Sequence, residues 1–227
     1  AGGMEAGAAG DPVPGGQGGE SISGGLGKAG VSGRAAEGGM GAGAGAGTAV
    51  YRGDDRGGGG GGDTMALAAF TANITADLGT GLMGRGSVHS AQTGSDILWG
   101  IENIVTGSGN DVITASGAVN VMDGGAGNDS FRFLSAADAD GDTILGFQPG
   151  DRIDVSAMDA NGCAAGQQSF TLVSGAFTGK GQLLVTHETR EDGDYTVVQG
   201  NTTGTDEADF KVSVKGSHEL TAGDFVL

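Results

Sequence analysis

The feature that most constrains this chain is a nine-residue unit that returns in register between residues 102 and 132. Gly124-Gly125-Ala126-Gly127-Asn128-Asp129-Ser130-Phe131-Arg132 fits the pattern G-G-x-G-x-D-x-U-x, with U apolar, at every defined position. Two units back, Thr106-Gly107-Ser108-Gly109-Asn110-Asp111-Val112-Ile113-Thr114 departs from it only at the first residue. The intervening unit, 115–123, is degenerate but keeps Asn120 in the acidic slot and Met122 in the apolar slot. One unit before Thr106, Glu102 and Ile104 occupy the same two slots. Such a period describes a parallel roll in which each unit is a six-residue loop plus a three-residue strand, and two units make one turn.

The residue types then acquire a physical reading. Ile104, Ile113, Met122 and Phe131 point into a thin core. The glycines let backbone carbonyls converge where a Cβ would clash. Loops on one side of the coil recur every 18 residues, so side-chain and carbonyl oxygens from successive loops can share an ion. A cage of that kind suits Ca2+, which takes 6–8 oxygen ligands in flexible geometry. Two sites are expected. The stronger joins Asp111 with Asp129, with carbonyls from Gly107, Gly109 and the loop Gly124, Gly125, Ala126 and Gly127. The weaker joins Glu102 with Asn120, with carbonyls near Gly100, Ser116 and Ala118, because Asn120 is neutral and its loop is poor in glycine.

Composition divides the chain. Of its 51 glycines, 26 lie in residues 1–62, which include a Gly-Ala alternation at 41–47 and a pure glycine run at 57–62. The larger apolar residues there are few (Val13, Ile22, Leu26, Val31, Val50, Tyr51), so burial offers little against the entropy of ordering glycine. The expectation is a disordered linker over 1–62, a calcium-binding roll over 63–135 and a C-terminal β domain over 136–227. The net charge of −17 falls almost wholly after residue 62. So acidic a surface repels phosphate backbones and anionic lipid, which excludes nucleic acid as partner, and no apolar run is long enough for membrane insertion.

Ile74, Ala76 and Leu78 alternate with polar residues as in a half-buried strand, and Ile97, Trp99 and Ile101 do the same, with Trp99 expected in the core. Further strands are expected at 169–173, 182–186, 195–199 and 210–214, with a hairpin at Asp192-Gly193. No stretch sustains a 3.6 period, and at most 156–160 forms a helical turn. The fold class is all-β.

With these residues in view, Gly100-Ile101-Glu102-Asn103 and the nonapeptides resemble the repeats-in-toxin (RTX) family. Residues 131–156 and the chain end resemble the C-terminal domain of serralysin-type proteins. The matching runs are Phe131-Arg132-Phe133, Ser135-Ala136-Ala137-Asp138, Gly141-Asp142-Thr143-Ile144, Phe147 and Asp151-Arg152-Ile153-Asp154-Val155-Ser156, then Ala208-Asp209-Phe210 through Leu227. The resemblance covers residues 74–227. It implies a calcium-loaded parallel β-roll packed on a β-sandwich-like region. It also implies a secreted, extracellular protein, exported without a cleaved N-terminal signal peptide through a type I ABC transporter. Asp224, Phe225, Val226 and Leu227 are similar to the C-terminal address that such a transporter reads. Asn201–Asp209 resembles an acidic family turn but carries Thr203 and Thr205, and Asp138, Asp140 and Asp142 read better as a solvated turn than as a cation cluster.

Catalysis finds no support in the residues. A zinc protease needs two histidines four apart with a glutamate between them, and His89, His187 and His218 are scattered. Cys163 is the only cysteine and has no base placed beside it in sequence. Three readings stay open at this level: a secreted calcium-binding module that is not itself an enzyme, the C-terminal tail of a longer extracellular enzyme, and a matrix protein assembled through its Gly-rich segment.

Overall fold

The computed structural model describes residues 63–79, 85–162 and 164–227, and within 1–62 only the backbone of six short strands. The linker expected over 1–62 therefore lies mostly outside the described residues, as does Cys163. The six strands are β1 (Met4–Glu5), β2 (Val13–Pro14), β3 (Ile22–Ser23), β4 (Gly30–Ser32), β5 (Gly39–Gly41) and β6 (Val50–Arg52).

The nonapeptides fold as their period dictates. β11 (Asn103–Val105), β12 (Val112–Thr114), β13 (Val121–Asp123) and β14 (Ser130–Arg132) are three residues each, and the chain alternates between two sheets. β11 pairs with β13 and β12 with β14, both parallel, which stacks Ile104 on Met122 and Ile113 on Phe131. All four apolar-slot residues are completely buried. Every second residue of each strand is sealed in this way, so the roll is held together by one narrow column of side chains from each sheet.

The roll extends beyond these units on both sides. Upstream, β7 (Thr64–Ala66) pairs with β11, and β8 (Ile74–Asp77) pairs with β12. The expected alternation holds along β8 and into the residue after it, with Ile74, Ala76 and Leu78 buried. An antiparallel hairpin, β9 (Arg85–Ser90) and β10 (Gly94–Trp99), is spliced onto β8. Here the parity differs from expectation. Asp96 and Leu98 face inward, whereas Ile97 and Trp99 are only half-buried. Trp99 is thus no core anchor, because the register Leu98↔Gly86 turns its neighbour inward instead.

Downstream, β15 (Thr143–Leu145) and β16 (Arg152–Asp154) add to β13 and β14, so the ladders run unbroken past residue 135. A four-residue helix, α1 (Ala136–Ala139), bulges from the intervening loop, with the Ser135 hydroxyl capping the Asp138 amide. It is too short to leave a 3.6 period in sequence. No helix forms at 156–160.

The C-terminal region continues both sheets. β17 (Thr171–Val173), β18 (Gln182–Arg190), β19 (Gly193–Asn201) and β20 (Phe210–Lys215) follow one another in the first sheet, and β20 pairs with β15. β21 (Phe225–Val226) closes the second sheet against β16. The hairpin expected near Asp192-Gly193 forms between β18 and β19. The Arg190 guanidinium and the Lys215 ammonium lie over its Tyr195 ring, 4.2 Å and 4.4 Å from the ring centre. Among the described residues no helix is long and apolar enough to cross a membrane.

Candidate metal centre

Three carboxylates stack along one side of the roll. The Ile74 amide donates to Asp111 Oδ1 at 2.8 Å, the Asp111 amide to Asp129 Oδ1 at 2.8 Å, and the Asp129 amide to Asp151 Oδ1 at 2.8 Å. Each carboxylate thus spends one oxygen on the backbone of the preceding loop. Its other oxygen is the informative one. Asp111 Oδ2 and Asp129 Oδ2 are buried and accept no hydrogen bond. Buried polar atoms are almost always satisfied, so two orphans in adjacent loops mark a place that a cation, a proton or a water would fill. Asp151 ends the stack, because its Oδ2 accepts the Gln148 amide at 2.9 Å.

The loop backbone fits around these oxygens. Asp129 Oδ2 lies where a Cβ on Gly124 would come within 2.4 Å, and Gly125 and Gly127 press against the carbonyls of Gly107 and Gly109 in the same manner. The Ala126 amide donates to Gly107 O at 2.8 Å and Gln148 Nε2 to Gly125 O at 2.7 Å. Each carbonyl retains a second lone pair. Thr106, which replaces the first consensus glycine, donates its hydroxyl to Gly124 O at 2.8 Å and so ties the two strong repeats together. Among the described residues no three His, Cys, Asp or Glu side chains cluster as metal ligands. A cation held here would draw most of its shell from carbonyls, which is hard-oxygen chemistry and fits calcium.

Electrostatics agree with this reading. Burial pushes the Asp129 carboxyl up to about 7, and the charges of Asp151, Asp111 and Asp123 add to the shift against the opposing Asp111 amide. Burial likewise raises Asp151, against the Asp129 and Gln148 amides. Carboxylates in this state take up a proton or a cation wherever one is available.

The opposite side of the roll is built differently from the sequence expectation. The paired strands put Glu102 and Asn120 in successive loops, as the register required. Glu102 Oε2 accepts the Asp63 amide at 2.9 Å. Asn120 Oδ1, however, accepts the Ser116 amide at 2.7 Å, and its Nδ2 donates to Ser116 Oγ at 3.0 Å. The Asn120 side chain is therefore satisfied inside its own loop, which also holds Ala118 through its amide on Ser116 Oγ at 3.3 Å.

Asp142 repeats the device of Asp129 on this side. It is fully buried, its Oδ1 accepts the Asn120 amide at 2.7 Å, and its Oδ2 has no partner. Burial pushes its carboxyl up to about 7, with Asp138 and Asp140 adding repulsion against the Asn120 amide. The solvated-turn reading of this acid cluster therefore fails at Asp142, which the 120–142 stacking draws inside. Sequence reasoning missed Asp142 and Asp151 as slot residues because the α1 insertion spaces them 22 residues from their predecessors instead of 18. An acid two residues before a buried Ile was the available signal at both.

Two further expectations resolve locally. Asp209 Oδ2 accepts the amides of Thr202 and Thr203 at 2.7 and 2.9 Å, and their hydroxyls bond the same carboxylate. The threonines close that turn around Asp209 from within. At the chain end, Asp224 caps the turn of residues 222–224 through the Thr221 amide at 2.7 Å, and Phe225 is buried opposite Ile153.

The chain matches the family described as Peptidase M10 serralysin C terminal over residues 55–227. It belongs to the serralysin C-terminal family. This is an RTX-type family of calcium-binding β-rolls, the non-catalytic C-terminal part of secreted serralysin-like proteins. Among curated proteins none matches the chain. Solved structures similar to this serralysin C-terminal domain include the AlgE6R3 subunit of the Azotobacter vinelandii mannuronan C5-epimerase. It is 22% identical with a TM-score of 0.40, covering 80% of this chain and 74% of that one. The AlgE6R2 subunit from the same source is 24% identical with a TM-score of 0.35, covering 55% and 79%.

Proposed function

We propose that the chain is a calcium-binding module whose roll closes on the ion after export from the cell. The observation that carries this is the pair of buried, unpartnered oxygens on Asp111 and Asp129 in loops 18 residues apart. Asp111, Asp129 and the carbonyls of Gly107, Gly109 and the 124–127 loop hold the principal ion. A second ion lies on the opposite side, where Asp142 supplies the stronger carboxylate, Glu102 the weaker one, and the loop of Ser116, Ala118 and Asn120 its carbonyls.

Without calcium, stacked carboxylates repel and glycine favours disorder, so the chain stays threadable through a type I ABC transporter. Outside, calcium at roughly 10⁻³ M meets the 10⁻⁴–10⁻³ M dissociation constants usual for extracellular modules, and binding offsets the ordering entropy. The burial of Phe225 in β21 gives this order a reason. The address Asp224, Phe225, Val226, Leu227 can be read only before the roll has taken up its last strand. The family's C-terminal position favours one companion reading, in which this module is the export and calcium-binding tail of a longer extracellular enzyme.

Equilibrium dialysis against calcium, with magnesium in parallel, tests the proposal. Saturable binding of at least one calcium ion with a dissociation constant of roughly 1 mM or below, and none of magnesium, is the expected result. Equal uptake of both ions would refute it.

A further inference from the structure

The apolar residues Met4, Val13, Ile22, Val31 and Met40 fall nine residues apart, which is the period of the roll itself. Gly15-Gly16-Gln17-Gly18-Gly19-Glu20-Ser21-Ile22-Ser23 fits the nonapeptide with Glu in the acidic slot, and Gly24-Gly25-Leu26-Gly27-Lys28-Ala29-Gly30-Val31-Ser32 fits it with Ala there. The strand ladders follow the same spacing. β1, β3 and β5 pair in parallel at Met4↔Ile22 and Ile22↔Met40, and β5 continues onto β7 at Met40↔Met65. On the other sheet β2, β4 and β6 pair at Val13↔Val31 and Val31↔Tyr51, and β6 continues onto β10 at Tyr51↔Leu98. Sequence period and backbone register are separate observations, and they agree.

We infer that the strands within residues 4–52 are an acid-poor continuation of the roll that docks on the β7 and β10 edges of the same chain. The acidic slots explain why it cannot stand alone. They hold Gly2, Asp11, Glu20, Ala29 and Gly38, so no two of these slots 18 residues apart carry carboxylates and none of these units repeats the Asp111–Asp129 pattern. Without an ion to offset the entropy of so much glycine, and with one apolar residue per nine, the segment needs a formed neighbour to add to. It is a spacer until the roll is closed and a set of added strands afterwards. This rests on the calcium reading only for its timing.

Hydrogen exchange of the full chain, with calcium and with chelator, tests it. The amides of β1–β6 exchange at least roughly tenfold more slowly whenever those of β11–β14 are protected, at any protein concentration. Ile22→Asp abolishes this slowing while leaving β11–β14 unchanged, and Gln17→Asp, at a variable position of the nonapeptide, preserves it. Protected β11–β14 with unprotected β1–β6 overturns the inference. So does slowing that survives Ile22→Asp, or slowing that grows with protein concentration, which marks strands donated by a second copy. Protection of β11–β14 that ignores calcium contradicts the calcium reading alone, and the behaviour of β1–β6 still decides the docking.

Discussion

Asp129→Asn is expected to change stability in opposite directions with and without calcium. In chelator the variant loses a buried charge that has no counter-ion, while an amide oxygen in place of Asp129 Oδ1 can still accept the Asp111 amide. The folded pKa of about 7 lies above the ordinary 3.8, so between these values the folded chain binds more protons than the unfolded one. For this group, calcium-free stability is greatest below pH 3.8 and falls as pH rises, with the loss complete above about 7. At pH 8 in chelator the variant should therefore gain about 2–4 kcal/mol over the wild type, and the pH slope should flatten. Asp142 leaves a residual slope. In saturating calcium the order reverses, because the calcium affinity lost with Asp129, about a thousandfold or roughly 4 kcal/mol, outweighs the calcium-free gain. Calcium titrations at a series of urea concentrations, followed by circular dichroism and extrapolated to zero calcium, read both effects. An unchanged calcium affinity of the folded chain would remove Asp129 from the site.

Gly127→Ala should be among the most damaging single-methyl additions in the chain. Its φ of +134° is disfavoured for any L side chain, and the new Cβ would sit 2.0 Å from Gly109 O and 2.9 Å from the carbon of that carbonyl. The obstacle is backbone in the adjacent loop, so relief requires separating two loops that β12–β14 pairing holds together. It also displaces a carbonyl assigned to the ion. We expect a loss of about 3 kcal/mol or more, together with a weakened calcium response. Gly175→Ala is the control. It shares a positive φ of +92° but has nothing within 4 Å, so it should cost only about 1–2 kcal/mol and raise the calcium midpoint no further than that loss requires. Equal effects of the two substitutions on the midpoint would show that the close approach of loops plays no part in binding.

What the sequence made visible was whatever the strict period carried. Ile104, Ile113, Met122 and Phe131 take their buried places because the roll permits one inward side chain per three-residue strand, and that rule is written in the spacing. Asp111 and Asp129 were legible for the same reason. Legibility stopped where the period was interrupted or diluted. The α1 insertion shifted Asp142 and Asp151 out of step, although both stack by the same amide-to-carboxylate bond. Asn120 kept its slot, yet Ser116 captured its amide, a local competition that spacing cannot reveal. At Trp99 the alternation was genuine but read on the wrong parity, because the β9–β10 hairpin fixes the register and had no counterpart in the repeat. In residues 1–52 the regular positions include Met4 and Met40, without which the remaining apolar residues look irregular.

The central claim is that calcium and folding are one event, and far-UV circular dichroism of the full chain during a calcium titration addresses it most directly, with magnesium as the comparison. The account predicts a cooperative gain of β signal as calcium rises through roughly the submillimolar to millimolar range, with no such gain in magnesium. A chain already fully β in chelator and indifferent to calcium would contradict it, and the stacked carboxylates would then be turns of a scaffold that folds without the ion.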